Sequence, residues 1–401
     1  MISRLARYNL ALWPAAIFLF SLPFTHTVAL RLLSLAIAAT IAFIAWRTRP
    51  TPPIPFKLPL LFWAGMAFLS LTWAIDPGYS LGEIKNEIGY TMLTFFTFFI
   101  LTQREFEFKF FNRVLISSFL AVSVSGVFAY WFACVKWDMG GLHGGVGDYS
   151  TYLITILPFL LLICAKNSIR KFPGNLVWLL LPLLLLGGYL TLNRAFWPAL
   201  IAVILTFSIL SYLRGFAFPG KKPFMGTTIL IVILASTQFI NVVKHKAEPT
   251  GTDAQILAKA MREDARIPIW KFAIENIREL PLTGAGFGRG AMQETFKKHF
   301  DSVKWHAHNL FLNYALQMGI VGVLALTILF SAIGREYWIL FRSADLDSTL
   351  IGSAGLALIS GVIIKNMTDD FFVRQHTLLF WALIGMSLGY GNRRLLTKNS
   401  N

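Results

Sequence analysis

The stretch NLFLNYALQMGIVGVLALTILFSAI, residues 309–333, decides the fold. It contains no Asp, Glu, Lys or Arg, and it exceeds the roughly 20 residues that a helix needs to cross a bilayer. A membrane β-barrel would instead show alternating segments of about ten residues. Runs like 309–333 recur from end to end, and the 401 residues are 56% hydrophobic and 14% charged, with 36 Phe and 12 Trp. Soluble domains carry roughly a quarter charged residues. The expected fold class is therefore an all-α polytopic membrane protein, a single membrane domain over 1–401.

Working outward from 309–333, hydropathy places about twelve transmembrane helices: 9–25, 27–46, 58–75, 86–102, 111–135, 149–165, 175–192, 196–213, 226–243, 309–333, 349–366 and 376–392. Breakers separate several of them, among them Thr51-Pro52-Pro53-Ile54-Pro55, Lys171-Phe172-Pro173-Gly174 and Phe218-Pro219-Gly220. The first run follows Arg4 and Arg7, lacks a small-x-small cleavage site and leads at once into another span. It reads as an uncleaved anchor.

The net charge of +16 sits mostly in short loops on one side, for example Arg47, Arg49 and Lys57, then Lys166, Arg170 and Lys171, then Arg393, Arg394 and Lys398. Positive loops stay in the cytoplasm, so both termini are expected inside. Nucleic acid is not expected as a partner, because no aromatic-basic module accompanies the charge. Cys134 and Cys164 lie inside apolar runs, without the paired spacing of a metal or disulfide framework.

Residues 244–307 break the pattern: a long polar loop on the outer side, between the ninth and tenth spans, with eleven Lys/Arg against eight Asp/Glu. Asp253 to Met261 is helix-prone, and Trp270, Ala273, Ile274 and Ile277 form one helical stripe, entered at Pro268. Ionisable residues are scarce at span centres, which argues against an ion-coupled transporter. Arg31, near a span end, is expected to snorkel.

The polar candidates gather at outer span ends. Arg194 occupies the tight turn Leu192-Asn193-Arg194-Ala195, where interfacial snorkelling is the plainer reading. Arg266 follows Asp264 and could be a surface ion pair. Trp305-His306-Ala307-His308-Asn309 offers two histidines; no third and fourth metal ligand stand at a matching spacing, so a general base is the better reading. Thr283-Gly284-Ala285-Gly286-Phe287-Gly288-Arg289-Gly290 imitates a dinucleotide loop but follows no strand, leaving a tight turn or an anion contact. His143, among glycines, reads as a flexible connection.

Taken in order, Arg194, Asp264-Ala265-Arg266, Trp270, Pro281-Leu282-Thr283-Gly284-Ala285-Gly286, and His308-Asn309 followed by Gly319-Ile320-Val321-Gly322 resemble the O-antigen ligase and polymerase superfamily. Trp73-Ala74-Ile75-Asp76-Pro77 with Ser80-Leu81 is similar to its N-terminal half. The His-Asn spacing and the length look most like the ligase, while Pro198 stands where that pattern often has leucine. The resemblance implies transfer of O-antigen polysaccharide from undecaprenyl diphosphate to lipid A–core oligosaccharide at the periplasmic face of a Gram-negative inner membrane, inverting and with no metal or other cofactor. It implies His308 as base and Arg194, Arg266 and Arg289 on the diphosphate, with His306 and Asn309 as secondary candidates. Two alternatives stand beside it: an O-antigen polymerase using the same donor, and a flippase or exporter of lipid-linked oligosaccharide.

Overall fold

The computed structural model describes residues 10–132, 141–169, 180–215, 237, 266–300 and 305–399. Among these the regular structure is helical, with no strand. The helices are α1 (Trp13–Ser21), α2 (Val28–Thr48), α3 (Lys57–Leu69), α4 (Pro77–Glu83), α5 (Tyr90–Leu101), α6 (Glu105–Phe132) and α7 (Val146–Ile169). They continue as α8 (Leu180–Leu190), α9 (Phe196–Leu213), α10 (Arg266–Glu279), α11 (Gln293–Lys297), α12 (Leu310–Phe341), α13 (Leu346–Lys365) and α14 (Arg374–Asn399).

Six of them, α2, α6, α7, α9, α12 and α13, contain segments long and apolar enough to cross a membrane. The chain is a multi-pass membrane protein. Every expected span meets a helix except 226–243, which apart from Thr237 lies outside the described residues, as does the helix expected over Asp253 to Met261. The span expected from residue 86 begins later as an α-helix, because Ile84–Gly89 is a π-helical turn continuing into α5.

Apolar burial drives little association inside lipid, so close packing and hydrogen bonds must carry it. α13 is central, packed on α7, α9, α12 and α14, and α14 packs on α5. At the latter contact a Cβ on Gly385 or Gly389 would overlap the backbone carbonyls of Phe95 and Phe99, so the two helices touch main chain to side. Buried hydroxyls pair across helices: Ser123 with Tyr149 at 2.7 Å, and Tyr337 with Ser387 at 2.7 Å. Arg31 does not snorkel. It is buried on α2, and its Nε lacks a hydrogen-bond partner.

The segment around α10 has a small core with part of α12. Ile269 and Ala273 of α10 are buried with Phe296, Ala307 and Leu316, and Trp270, Phe272 and Ile277 pack against them. Ile274, expected on this stripe, is exposed, and Ile269, four residues before Ala273, is buried in its place.

The glycine-rich loop is likewise built in. α12 breaks at Met318 and Gly319, where Gly319 has φ 64°. Pro281 accepts from the Ile320 amide at 2.8 Å, and Ala285 and Gly286 donate to Leu316 and Gln317 at 2.8 and 2.9 Å. The backbone groups that the break frees are satisfied by this loop. Of its remaining amides, Phe287 donates to Ser70, Gly288 to Gln317 and Gly290 to Tyr79. The tight-turn reading holds, and these N–H groups are spent on protein. His143 also differs from expectation: it is buried, its Nδ1 accepts from the Gly145 amide at 3.1 Å, and it organises a turn.

Candidate active site

Several segments of the chain meet at one end of the bundle, and the turn after α13 is where they join. α13 ends at Lys365, whose ammonium is fully buried and donates to Asp369 at 2.7 Å. Asp369 also receives Arg266 of α10 at 3.1 Å, and the side-chain amide of Asn193 at 3.0 Å. Burial opposes a charge on Asp369, but Lys365 and Arg266 outweigh it and, with Asn193, hold the carboxyl below the ordinary range. Two cations share this one carboxylate.

Asn193 fixes the turn that carries Arg194. Its Oδ1 accepts from the Ala195 amide at 2.9 Å while its Nδ2 reaches Asp369. Pro198, the departure from the ligase pattern, sits in the first turn of α9, where its missing N–H costs no helical bond.

Asp370 behaves differently from its neighbour. It is buried, and burial pushes its carboxyl up. Asn313 of α12 donates to that carboxylate, and Arg289 donates to the Asp370 backbone oxygen. The Arg289 guanidinium also stands 4.9 Å from the centre of the Trp305 ring.

Trp305 leads into the histidines. Its ring meets His306 edge-on at 4.5 Å, and the His306 and His308 rings lie 3.9 Å apart. His306 is buried; burial first, then the neighbouring His308 and Arg289, push its pKa down to about 2. Its Nδ1 accepts from the His308 amide at 3.1 Å, so its proton is on Nε2. His308 is only half-buried and holds a left-handed backbone, φ 50°. That conformation is uncommon for a side-chain-bearing residue and requires support.

The support comes from three directions. Trp270 of α10 donates to Ala307 at 2.9 Å, and the Ala307 amide donates to Asn313 at 2.9 Å. Asn309 caps α12 by accepting from the Leu312 amide at 3.0 Å, and it donates to Met367 at 2.8 Å. Asn309 is thus committed to backbone, while His308 remains at the surface of the segment.

The N-terminal half closes the site from the other side. Trp73 donates to Thr283 at 2.7 Å, and the Ile75 amide to Ala285 at 2.9 Å. Arg374 pairs with Glu83 at 2.9 Å. A narrow cleft between these elements is lined by Arg289, Trp305, Asp370, Tyr79, Glu83 and Glu87, among others.

The residues expected from sequence therefore fall into two groups. Arg266, and the turn bearing Arg194, gather on Asp369; Arg289, His306 and His308 gather around Trp305 and Asp370. One peptide bond, between Asp369 and Asp370, joins the groups. Lys365, Asp369 and Asp370 themselves were not among the expected residues. Their signal was a Lys–Asp pair four apart at the end of an apolar span, with a second acid beside it, since charge at that depth is costly.

Residues 178–327, which contain most of these elements, match a family model described as O-antigen ligase. No curated protein matches the chain.

Proposed function

We propose, from the match of residues 178–327 to the O-antigen ligase family model, that the chain is a ligase of that superfamily, joining O-antigen polysaccharide from undecaprenyl diphosphate to a sugar hydroxyl of lipid A–core. The acceptor oxygen attacks the anomeric carbon, and its proton passes to His308. The bond from that carbon to the diphosphate breaks with its electron pair on oxygen, inverting the centre. The departing lipid diphosphate is already a stable anion and needs no acid. Arginine binds such a group through two parallel N–H bonds and stays charged throughout. Arg194, Arg266 and Arg289 take this part, holding the donor and balancing charge on the bridging oxygen.

One observation carries the assignment of the base: of two adjacent histidines with tilted rings, His306 is buried, neutral and committed through Nδ1, while His308 is half-exposed. His306 acts as the wall against which His308 is set. Lys365 and Arg266 meet at Asp369, where this reading places the anionic donor. The site faces the periplasm in this reading, with both termini cytoplasmic.

Replacing His308 by Ala should lower attachment of O-antigen to lipid A–core by about 10²–10⁴-fold. His308→Asn should do the same while keeping the left-handed backbone that Asn tolerates. Wild-type attachment by either variant, inserted normally, removes His308 as base. Purified protein offered lipid A–core or a second lipid-linked glycan separates ligase from polymerase, because only one acceptor yields product. Movement of labelled lipid across vesicles without bond formation would point instead to a flippase.

A further inference from the structure

The cleft beside Trp305 has a wall that the transfer chemistry above does not use. It is built where two irregular pieces of backbone meet. Ile84–Gly89 is a π-helical turn, and Arg374 holds a left-handed backbone, φ 52°. The Arg374 amide donates to both oxygens of Glu87, at 3.0 and 3.1 Å, which supports that conformation. Such departures cost energy and gather where ligands are held.

Three side chains of this cleft, Tyr79, Glu83 and Gln317, each keep one hydrogen-bonding position open. Glu83, 8% exposed, gives one oxygen to Arg374 at 2.9 Å. Its other oxygen has no partner among the described residues. Gln317, 6% exposed, accepts from the Gly288 amide through Oε1 at 2.9 Å. The opposite atom is therefore the Nε2 donor, and it too has no partner among the described residues. The Tyr79 oxygen accepts from the Gly290 amide at 2.8 Å, which leaves its O–H to donate. Gly288 lets the three converge: a Cβ there would lie 2.7 Å from the Tyr79 ring and 2.9 Å from Glu83. An open acceptor beside two open donors calls for a ligand that carries both kinds of group.

Charge and size narrow the ligand. The lining holds three acids, Glu83, Glu87 and Asp370, against two cations, Arg289 and Arg374. That is no surplus of cation for a diphosphate. The cleft has room for about 60 Å³, roughly the space of two water molecules. It takes two adjacent hydroxyls and not a whole sugar ring. Trp305 lines it and also meets His306, which joins the cleft to the histidine pair.

We infer that this cleft reads a vicinal pair of hydroxyls on the acceptor sugar, Glu83 accepting from one while Tyr79 and Gln317 donate to the pair. The inference deepens the ligase reading and rests on it for the identity of the acceptor. Tyr79, Glu83 and Gln317 are then specificity-determining residues, separate from the arginines that hold the donor.

Binding of purified lipid A–core to the full chain in detergent, with no donor present, tests it by microscale thermophoresis. Glu83→Gln and Gln317→Glu each keep one hydrogen-bonding atom and reverse the other. Each should weaken lipid A–core about tenfold, the effect of one such bond, and leave the binding of undecaprenyl diphosphate unchanged. Gln317→Glu serves alone if Glu83→Gln does not fold. Unchanged affinity for lipid A–core in a folded variant, or equal weakening of undecaprenyl diphosphate, would overturn the inference and leave the ligase reading in place. If the variants weaken binding as expected and the parent still yields no product once donor is added, the ligase reading fails and the cleft stands.

Discussion

The two ends of the bundle each hold an aspartate gripped by cations, and they use it differently. At the end away from the histidines, Asp345 caps α13 through Ser348 and takes both arms of Arg394, while Asp347 meets Lys166 at 2.9 Å and Arg394 at 3.4 Å. Two acids face two bases, and the charges close. At the histidine end Lys365 and Arg266 share Asp369, while Asp370 beside it is pushed toward its neutral form by burial. There two cations from different segments meet on one carboxylate. The first arrangement ties α13 to α14 and α7; the second ties α13 to α10 and to the Asn193 turn, the place the proposed function gives the anionic donor.

The sharpest way to break this comparison is to neutralise the shared acid. Asp369→Asn leaves the buried Lys365 without its counter-charge, a loss of about 3–5 kcal/mol. The expected outcome is poor recovery of folded protein from membranes, read by size-exclusion in detergent. Normal recovery would mean that Lys365 and Arg266 do not depend on Asp369.

Next comes the scaffold under the histidine end. A Cβ at Gly319 would overlap the Leu282 carbonyl in a left-handed backbone. Gly319→Ala should cost about 3 kcal/mol, the upper range for strain and overpacking together. A melting temperature in detergent lowered by several degrees checks it.

Acid separates the two ends more finely. His306 stays neutral down to about 2 in the folded chain, whereas the unfolded chain takes a proton in the ordinary imidazole range, near pH 6.5. Between those values the unfolded state binds more protons. Stability from His306 is therefore full above about pH 6.5 and declines as pH falls, by up to about 1.4 kcal/mol per unit. His306→Gln should flatten that slope in a series of thermal melts across pH 4.5–7.5, a window set by the same imidazole range.

The smallest effect is expected at the closed end. Asp345→Asn removes one acid from Arg394, which still has Asp347, so the cost is about 1–2 kcal/mol. Because Arg394 holds the Asp345 carboxyl well below its usual range, this contribution is present at neutral pH and fades only as pH falls below that range. Melts of the variant against the parent at pH 7 give its size.

How much of this was legible beforehand varies by residue. His308 and Arg266 stood out because they fall on the motifs that carry the resemblance. Asn309 stood out for its place beside His308, and its contacts give it the work of a cap. Lys365, Asp369 and Asp370 did not stand out, since nothing local says that the α13 turn receives Arg266 from one segment and Asn193 from another. Ile274 was placed inside and Ile269 missed because both choices fit a stripe through Ala273, and only the packing against Phe296, Ala307 and Leu316 selects between them.

The amino-acid sequence by itself determined that the chain crosses a membrane as helices, because solvent and backbone hydrogen bonding act on every stretch independently of its neighbours. It also determined which side chains are chemically capable. Only the tertiary structure decided which histidine is exposed, which carboxylate two cations share, and that the glycine loop spends its amides on the break in α12. Those are contacts between residues far apart along the chain, and their energies depend on burial and distance, which composition does not contain.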